Sequence, residues 1–71
     1  MTFKEYLKQS RYYKQDSIRG DLAYDIVRDK QLRDNATIDE ISDYLEAKLN
    51  EDVWKEFLVL LRAYRRTQSN T

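Results

Sequence analysis

The sequence predicts a small all-α protein, an orthogonal bundle of four helices in a single domain. Three observations support this fold class. The 71 residues include no proline and a single glycine, which leaves few turn signals for a hairpin-rich β protein. The chain has no cysteine and no histidine, so neither a disulfide nor a cysteine–histidine zinc site can hold it together. Four segments carry apolar residues at helical spacing, so we expect the packing of these helices to form the core.

The first helix is predicted over residues 2–11. Its apolar face contains Phe3, Tyr6 and Leu7, which are spaced to lie on one side of a helix. Thr2 and Glu5 have the spacing of a capping box, in which each side chain bonds the backbone of the other residue.

The second helix is predicted over residues 16–29, with Asp16 or Ser17 as its N-cap. Its apolar side contains Ile18, Leu22, Ala23, Ile26 and Val27. The chain from 11 to 15 and the chain from 30 to 36 are expected to be short links between consecutive helices.

The third and fourth helices are predicted over residues 38–49 and 51–66. Thr37 and Glu40 form a second capping-box pattern, and Asn50 is placed to cap the fourth helix. The apolar arc of the fourth helix is about 160° wide at roughly 100° per residue, and Val59 falls outside it. So wide an arc indicates a helix that contacts more than one neighbour.

The predicted core consists of large apolar residues from all four helices. They are Phe3, Leu7, Leu22, Ile26, Ile41, Leu45, Phe57 and Leu61. Residues 1–66 are expected to form the domain, and the polar tail at 67–71 is expected to fray.

Several short stretches of the sequence form a pattern together. They are Phe3 with Tyr6-Leu7 and then Arg11, the second-helix residues Asp16, Ile18, Leu22-Ala23, Ile26 and Asp29, the segment Ile41-Ser42-Asp43-Tyr44-Leu45-Glu46, and Phe57 with Tyr64 in the last helix. In these stretches the chain resembles the small bacterial YozE-type family. The resemblance implies a helical fold like that of sterile-alpha-motif (SAM) domains, a bacterial origin and no established activity. One departure concerns the link after the second helix, where the family commonly has Phe-Pro and this chain has Leu32-Arg33.

The residue types argue against catalysis. Histidine and cysteine, the usual general base, thiolate nucleophile and soft metal ligands, are absent. The single glycine excludes a glycine-rich phosphate-binding loop. Carboxylate pairs such as Asp25 with Asp29 are expected to be solvated. We therefore expect no enzyme, no cofactor, no metal site and no small-molecule substrate.

The net charge is zero, but the charges are unevenly distributed. Residues 1–14 carry a net charge of +3, residues 34–56 carry −6, and the C-terminal stretch carries +3. If the first and last helices are neighbours, their cations form one basic face near aromatic side chains. The candidate nucleic-acid-binding residues on this face are Lys4, Lys8, Arg11, Lys14, Arg62, Arg65 and Arg66.

Three interpretations of this asymmetry remain open. The basic ends could simply neutralise the acidic third helix, each exposed pair adding ~0–1 kcal/mol. They could bind nucleic acid, although a sequence pI near 6.2 is low for such a protein. They could bind a partner protein or a second copy of the chain, which is the function we expect. The candidate protein-interaction residues are Trp54, Val59, Tyr12 and Tyr13.

Residues 1–5 contain no apolar stretch typical of a signal peptide. The longest apolar run, from Phe57 to Leu61, is five residues long, against the ~20 needed to cross a bilayer. We therefore expect a cytoplasmic protein with no membrane partner.

Overall fold

A computed structural model describes residues 1–68. Within them the chain forms four α-helices and no strand: α1 (Phe3–Gln9), α2 (Ile18–Arg28), α3 (Ile38–Glu46) and α4 (Glu51–Gln68). A short 3-10 helix at Arg11–Lys14, called the 3-10 turn below, connects α1 to α2. The predicted all-α four-helix bundle is confirmed. Of the helices in residues 1–68, none is both long and apolar enough to cross a lipid bilayer.

All four helices begin at capping residues that the sequence predicts. These residues are Thr2 for α1, Ser17 for α2, Thr37 for α3 and Asn50 for α4. At Thr2 and Thr37 a glutamate three residues later completes the capping box. The Asn50 side-chain oxygen accepts a hydrogen bond from the backbone N–H of Val53 at 2.9 Å. These side chains satisfy backbone donors that have no partner inside the helix.

The boundaries of the first two helices differ from the prediction. The first helix ends at Gln9 rather than at residue 11, because Ser10 is extended and the chain then enters the 3-10 turn. The predicted link from 11 to 15 is therefore mostly helical. The second helix spans 18–28 rather than 16–29, because Ser17 is its N-cap and Asp29 its C-cap.

The boundaries of the last two helices also differ. The third helix ends at Glu46 rather than at residue 49, because the next residues turn the chain towards the Asn50 cap. In this turn the N–H groups of residues 48 and 49 both donate to the Leu45 carbonyl. The fourth helix continues to Gln68, two residues beyond the predicted end at 66, so the first two residues of the polar tail are helical. The rest of that tail, 69–71, lies outside the described residues.

The core contains every residue that the sequence predicts for it. Phe3, Leu7, Ile41 and Phe57 are at most 1% exposed, and the other four predicted core residues are also buried. Four further apolar residues are buried with them: Ala23, Leu32, Ala36 and Leu60. Two of these four come from the link between α2 and α3, so this link is packed against the core rather than solvated.

The first and last helices are neighbours, as a shared basic face requires. The Phe3 ring packs edge-on against Phe57 and Tyr64, with ring centroids 6.0 and 5.2 Å apart. The Tyr64 hydroxyl donates a hydrogen bond to the Met1 carbonyl at 2.7 Å. Such edge-to-face aromatic pairs add about 0.5–1.5 kcal/mol beyond the area that they bury. Aromatic packing therefore joins α1 to α4.

Gly20 allows α2 to approach the 3-10 turn closely. A Cβ atom at this position would lie 2.0 Å from the Gln15 carbonyl oxygen and 2.9 Å from the Tyr12 carbonyl oxygen. Both distances are shorter than any ordinary contact, and both involve backbone atoms. Only a residue without a side chain permits this approach. The position of the 3-10 turn therefore depends on the single glycine of the chain.

Candidate interaction groove

A shallow groove runs between the N-terminal part of the chain and α4; we call it the basic groove. It consists of two adjoining hollows of about 400 and about 220 Å³, which share Tyr12, Ala63 and Arg66. Its lining residues are Tyr6, Ser10, Arg11, Tyr12, Val59, Arg62, Ala63, Arg66 and Thr67. None of these nine side chains is acidic.

One wall of the basic groove is a face of α4. Val59, Arg62, Ala63 and Arg66 follow the i, i+3, i+4, i+7 spacing of a single helical face. Val59 and Ala63 are partly buried, whereas both arginines are exposed. This wall therefore combines a small apolar floor with two permanent positive charges.

The opposite wall is the end of α1 and the 3-10 turn, where Tyr12 is held between charged neighbours. The guanidinium groups of Arg11 and Arg19 lie over the Tyr12 ring, 5.5 and 5.9 Å from its centroid. Arg19 is in turn bound to Glu56 of α4, with its Nε 2.8 Å from the carboxylate oxygen. This ion pair connects α2 to α4, and the same arginine lies over the Tyr12 ring. The position of the ring therefore depends on both helices.

Tyr6 lies in the groove beside the cations. Its ring packs against Tyr64 at 5.4 Å between centroids. Burial and the neighbouring Tyr12 raise the pKa of the Tyr6 phenol, while the positive charges of Arg11 and Arg66 act against that rise. The phenol therefore remains a neutral O–H donor at physiological pH, close to two guanidinium groups.

The structure brings together only part of the predicted basic face. Arg11, Arg62 and Arg66 line the basic groove. Lys14 and Arg65 are exposed but are not among its lining residues.

The two lysines of α1 lie elsewhere. Lys8 is exposed and lines a separate hollow that also contains Glu5 and Asp34. Lys4 is 6% exposed, and its ammonium group donates to the backbone carbonyls of Asp29, at 2.8 Å, and of Leu32. Its apolar stem and its hydrogen bonds place it in the interior, so Lys4 is not part of a basic surface.

The four predicted protein-interaction residues also separate. Tyr12 and Val59 line the basic groove. Tyr13 instead pairs with Tyr24 of α2, with ring centroids 5.6 Å apart. Trp54 is partly buried against the core and contacts Phe57 at 5.1 Å between ring centroids.

No protein-family model, curated protein or solved structure matches this chain. The resemblance to the YozE-type family and the SAM-like assignment therefore stay predictions.

The carboxylate of Asp29 is not simply solvated, contrary to the expectation for the Asp25–Asp29 pair. It accepts a hydrogen bond from the Tyr44 hydroxyl at 2.8 Å and lies 3.6 Å from the Lys48 ammonium group. Burial alone would raise the pKa of Asp29, but the hydrogen bonds from Tyr44 and from the Gln31 N–H outweigh it and lower the pKa. This cluster ties the end of α2 to α3.

Three ion pairs are described within residues 1–68. Side chains are paired between Arg19 and Glu56, between Arg33 and Glu40, and between Lys48 and Asp29. None of these three pairs joins the basic groove to the acidic α3. Within residues 1–68, no group of three or more acidic side chains is arranged to hold a metal ion.

The sequence interpretation missed four lining residues: Tyr6, Ser10, Ala63 and Thr67. For Ala63 a signal was present, because Val59 lies outside the apolar arc yet shares a helical face with Arg62, Ala63 and Arg66. For the approach of the 3-10 turn there was no such signal, because it depends on the contact between α2 and the turn.

Proposed function

We propose that this protein is a non-catalytic interaction module whose basic groove binds an acidic segment of a partner protein. The observation that carries this proposal is the lining of the groove. Three arginines surround a small apolar floor, and none of the nine described lining residues is a carboxylate. Arginine is enriched at protein interfaces because its planar group pairs with carboxylates through two parallel hydrogen bonds.

The shape of the groove supports binding rather than catalysis. Its hollows are open at the surface and lie between two helices, so they do not exclude water from a bound group. The described residues that line it include no histidine, aspartate or glutamate, the side chains that most often act as general acids and bases. A shallow basic surface of this kind suits a peptide segment with carboxylates on one side.

Selection from a random dodecapeptide library tests the proposal. We expect the selected peptides to be acidic and to bind the Arg62→Glu variant at least about tenfold more weakly. The matched control is Arg65→Glu, which makes the same change of charge on the same helix outside the groove lining. Peptides that bind both variants equally, or a selection without acidic enrichment, would contradict the proposal.

Nucleic acid is a second candidate ligand, since the groove combines three arginines with two tyrosines. The tyrosine rings are, however, already engaged. Arg11 and Arg19 lie over Tyr12, and Tyr6 packs against Tyr64. This leaves less ring surface for stacking bases. A single-stranded oligonucleotide bound at low salt, with affinity lost in Arg62→Glu but kept in Arg65→Glu, would favour this second candidate.

Self-association is a third candidate, because α3 presents exposed acidic residues at 39, 40, 43 and 46. A basic groove docked onto the acidic α3 of another copy is a heterologous contact, which continues from copy to copy unless it closes into a ring. Sedimentation measurements would then show a mass that rises with concentration and falls with salt. A monomer over the whole concentration range would exclude this partner.

A further inference from the structure

The larger hollow of the basic groove gathers donors from both walls. Tyr6, Arg11 and Tyr12 come from α1 and the 3-10 turn, and Arg66 comes from α4. These four side chains carry two guanidinium groups and two phenol groups. The Ser10 and Thr67 hydroxyls at its rim donate internally, to the carbonyls of Leu7 and Tyr64.

The guanidinium groups of Arg11 and Arg66 both act on the Tyr6 phenol. Burial and Tyr12 disfavour the ionised form of Tyr6, whereas Arg11 and Arg66 favour it. Both arginines are therefore close enough to the Tyr6 phenol for their charges to be felt there, although they belong to opposite walls. An anion in this hollow would meet two positive charges at once.

We propose that the larger hollow of the basic groove binds the dianionic phosphate of a phosphorylated side chain in the partner. This inference rests on the proposed function and specifies the acidic group that the groove recognises. A carboxylate carries one charge and matches one guanidinium fork, whereas a phosphate monoester carries close to two charges and three acceptor oxygens. Two forks and two phenol donors are complementary to the phosphate.

The separate hollow that contains Lys8 has a different distribution of charge. It contains Lys4 and Lys8, but also the carboxylates Glu5 and Asp34, which would repel a dianion. Lys4 is moreover buried and bonded to backbone carbonyls. The larger hollow contains two arginines and, among its described lining residues, no carboxylate. This combination distinguishes the basic groove from the hollow that contains Lys8.

Degenerate peptide pools test the inference. One pool has a fixed central phosphoserine, one a phosphotyrosine and one a glutamate, and each is measured by fluorescence anisotropy. At about pH 7.5 we expect a phosphorylated pool to bind about tenfold more tightly than the glutamate pool. This advantage should shrink at about pH 5, because the second pKa of the phosphate is about 6.

The Arg11→Gln variant should lose the preference for phosphate while keeping its fold, as monitored by circular dichroism. The matched control is Lys14→Gln, which removes an exposed charge from the same 3-10 turn outside the hollow. Equal binding of the phosphorylated and glutamate pools would overturn the phosphate inference but leave the proposed function standing. Failure of all three pools would overturn both, and an oligonucleotide that binds more tightly than every pool would replace both with nucleic-acid binding.

Discussion

Replacing Gly20 with alanine should destabilise this protein, although the same change in most helices is stabilising. In an exposed helix interior, alanine is favoured over glycine by about 1 kcal/mol. Here the added Cβ would lie 2.0 Å from the Gln15 carbonyl oxygen, whereas ordinary contact begins near 3.4 Å. The 3-10 turn must therefore shift by about 1.4 Å relative to α2.

The size of the effect follows from what has to move. Inserting a methyl group into a packed site costs about 1–3 kcal/mol, occasionally more, because neighbours are forced out of their minima. Here the neighbours are two backbone carbonyls, those of Gln15 and Tyr12, which cannot rotate away as a side chain can. We expect a net loss of about 2 kcal/mol, which in a domain of this size lowers the Tm by roughly 8–16 °C.

Thermal and urea denaturation followed by circular dichroism measure this loss. Asp25→Ala is the matched control, because residue 25 is exposed on the same helix and should change stability by no more than about 0.5 kcal/mol. A Gly20→Ala variant as stable as the original protein would refute the reasoning. A destabilised variant should also bind more weakly in the basic groove, because the displaced turn carries Arg11 and Tyr12.

Three further variants test other contacts by denaturation. Lys4→Met should lower the free energy of unfolding by about 1–3 kcal/mol, because the carbonyls of Asp29 and Leu32 lose their buried donor. Lys8→Met, at an exposed site on the same helix, should be nearly neutral. Equal effects would contradict the interior role of Lys4. Leu61→Ala should lower the free energy of unfolding by ~2–5 kcal/mol. Leu58→Ala should lower it clearly less, because the Leu58 side chain is 40% exposed. The reverse order would refute the core assignment. Tyr44→Phe should cost about 1 kcal/mol near neutral pH. Folding lowers the pKa of Asp29 below its unfolded-state pKa, which is near 3.8. The stabilisation by the Asp29 carboxylate is therefore fully present above the unfolded-state pKa and is lost as the pH falls through the folded-state pKa. The stability of Tyr44→Phe should therefore fall less on acidification, and parallel pH profiles would count against this role of the hydrogen bond.

Much of the fold could be predicted because its determinants are local. The caps at Thr2, Ser17, Thr37 and Asn50 are short-range patterns, and the core residues follow the 3.6-residue period of their own helices. The helix ends were less predictable. The turn after Glu46 lacks a glycine or proline signal, so the residues that redirect the chain towards Asn50 look helical in sequence.

What the sequence could not show depends on contacts between distant segments. Lys4 looks like a solvated lysine, because its carbonyl partners belong to a link about 25 residues away. Leu32 and Ala36 lie in a segment without periodicity, so their burial follows only from the packing of that link. Gly20 looks like an ordinary helical glycine until the 3-10 turn is placed against it.

The candidate groove was predictable in part. The uneven charge distribution indicated a basic face, and the neighbouring positions of α1 and α4 brought Arg11 close to Arg62 and Arg66. The face of α4 that includes Val59 could have been recognised by its spacing. The opposite wall could not, because it depends on how α2 holds the 3-10 turn in place.

The hydrogen bond from Tyr64 to the Met1 carbonyl, together with the packing of Phe3 against α4, has a thermodynamic consequence for any ligand. The groove exists only when segments about 60 residues apart in the chain have come together. A ligand that enters the groove therefore binds the folded protein and finds no equivalent site in a partly folded chain. Occupancy must therefore raise the melting temperature, by an amount that grows with the logarithm of the ratio of ligand concentration to Kd, so that the heat stability of the protein reports on its partner.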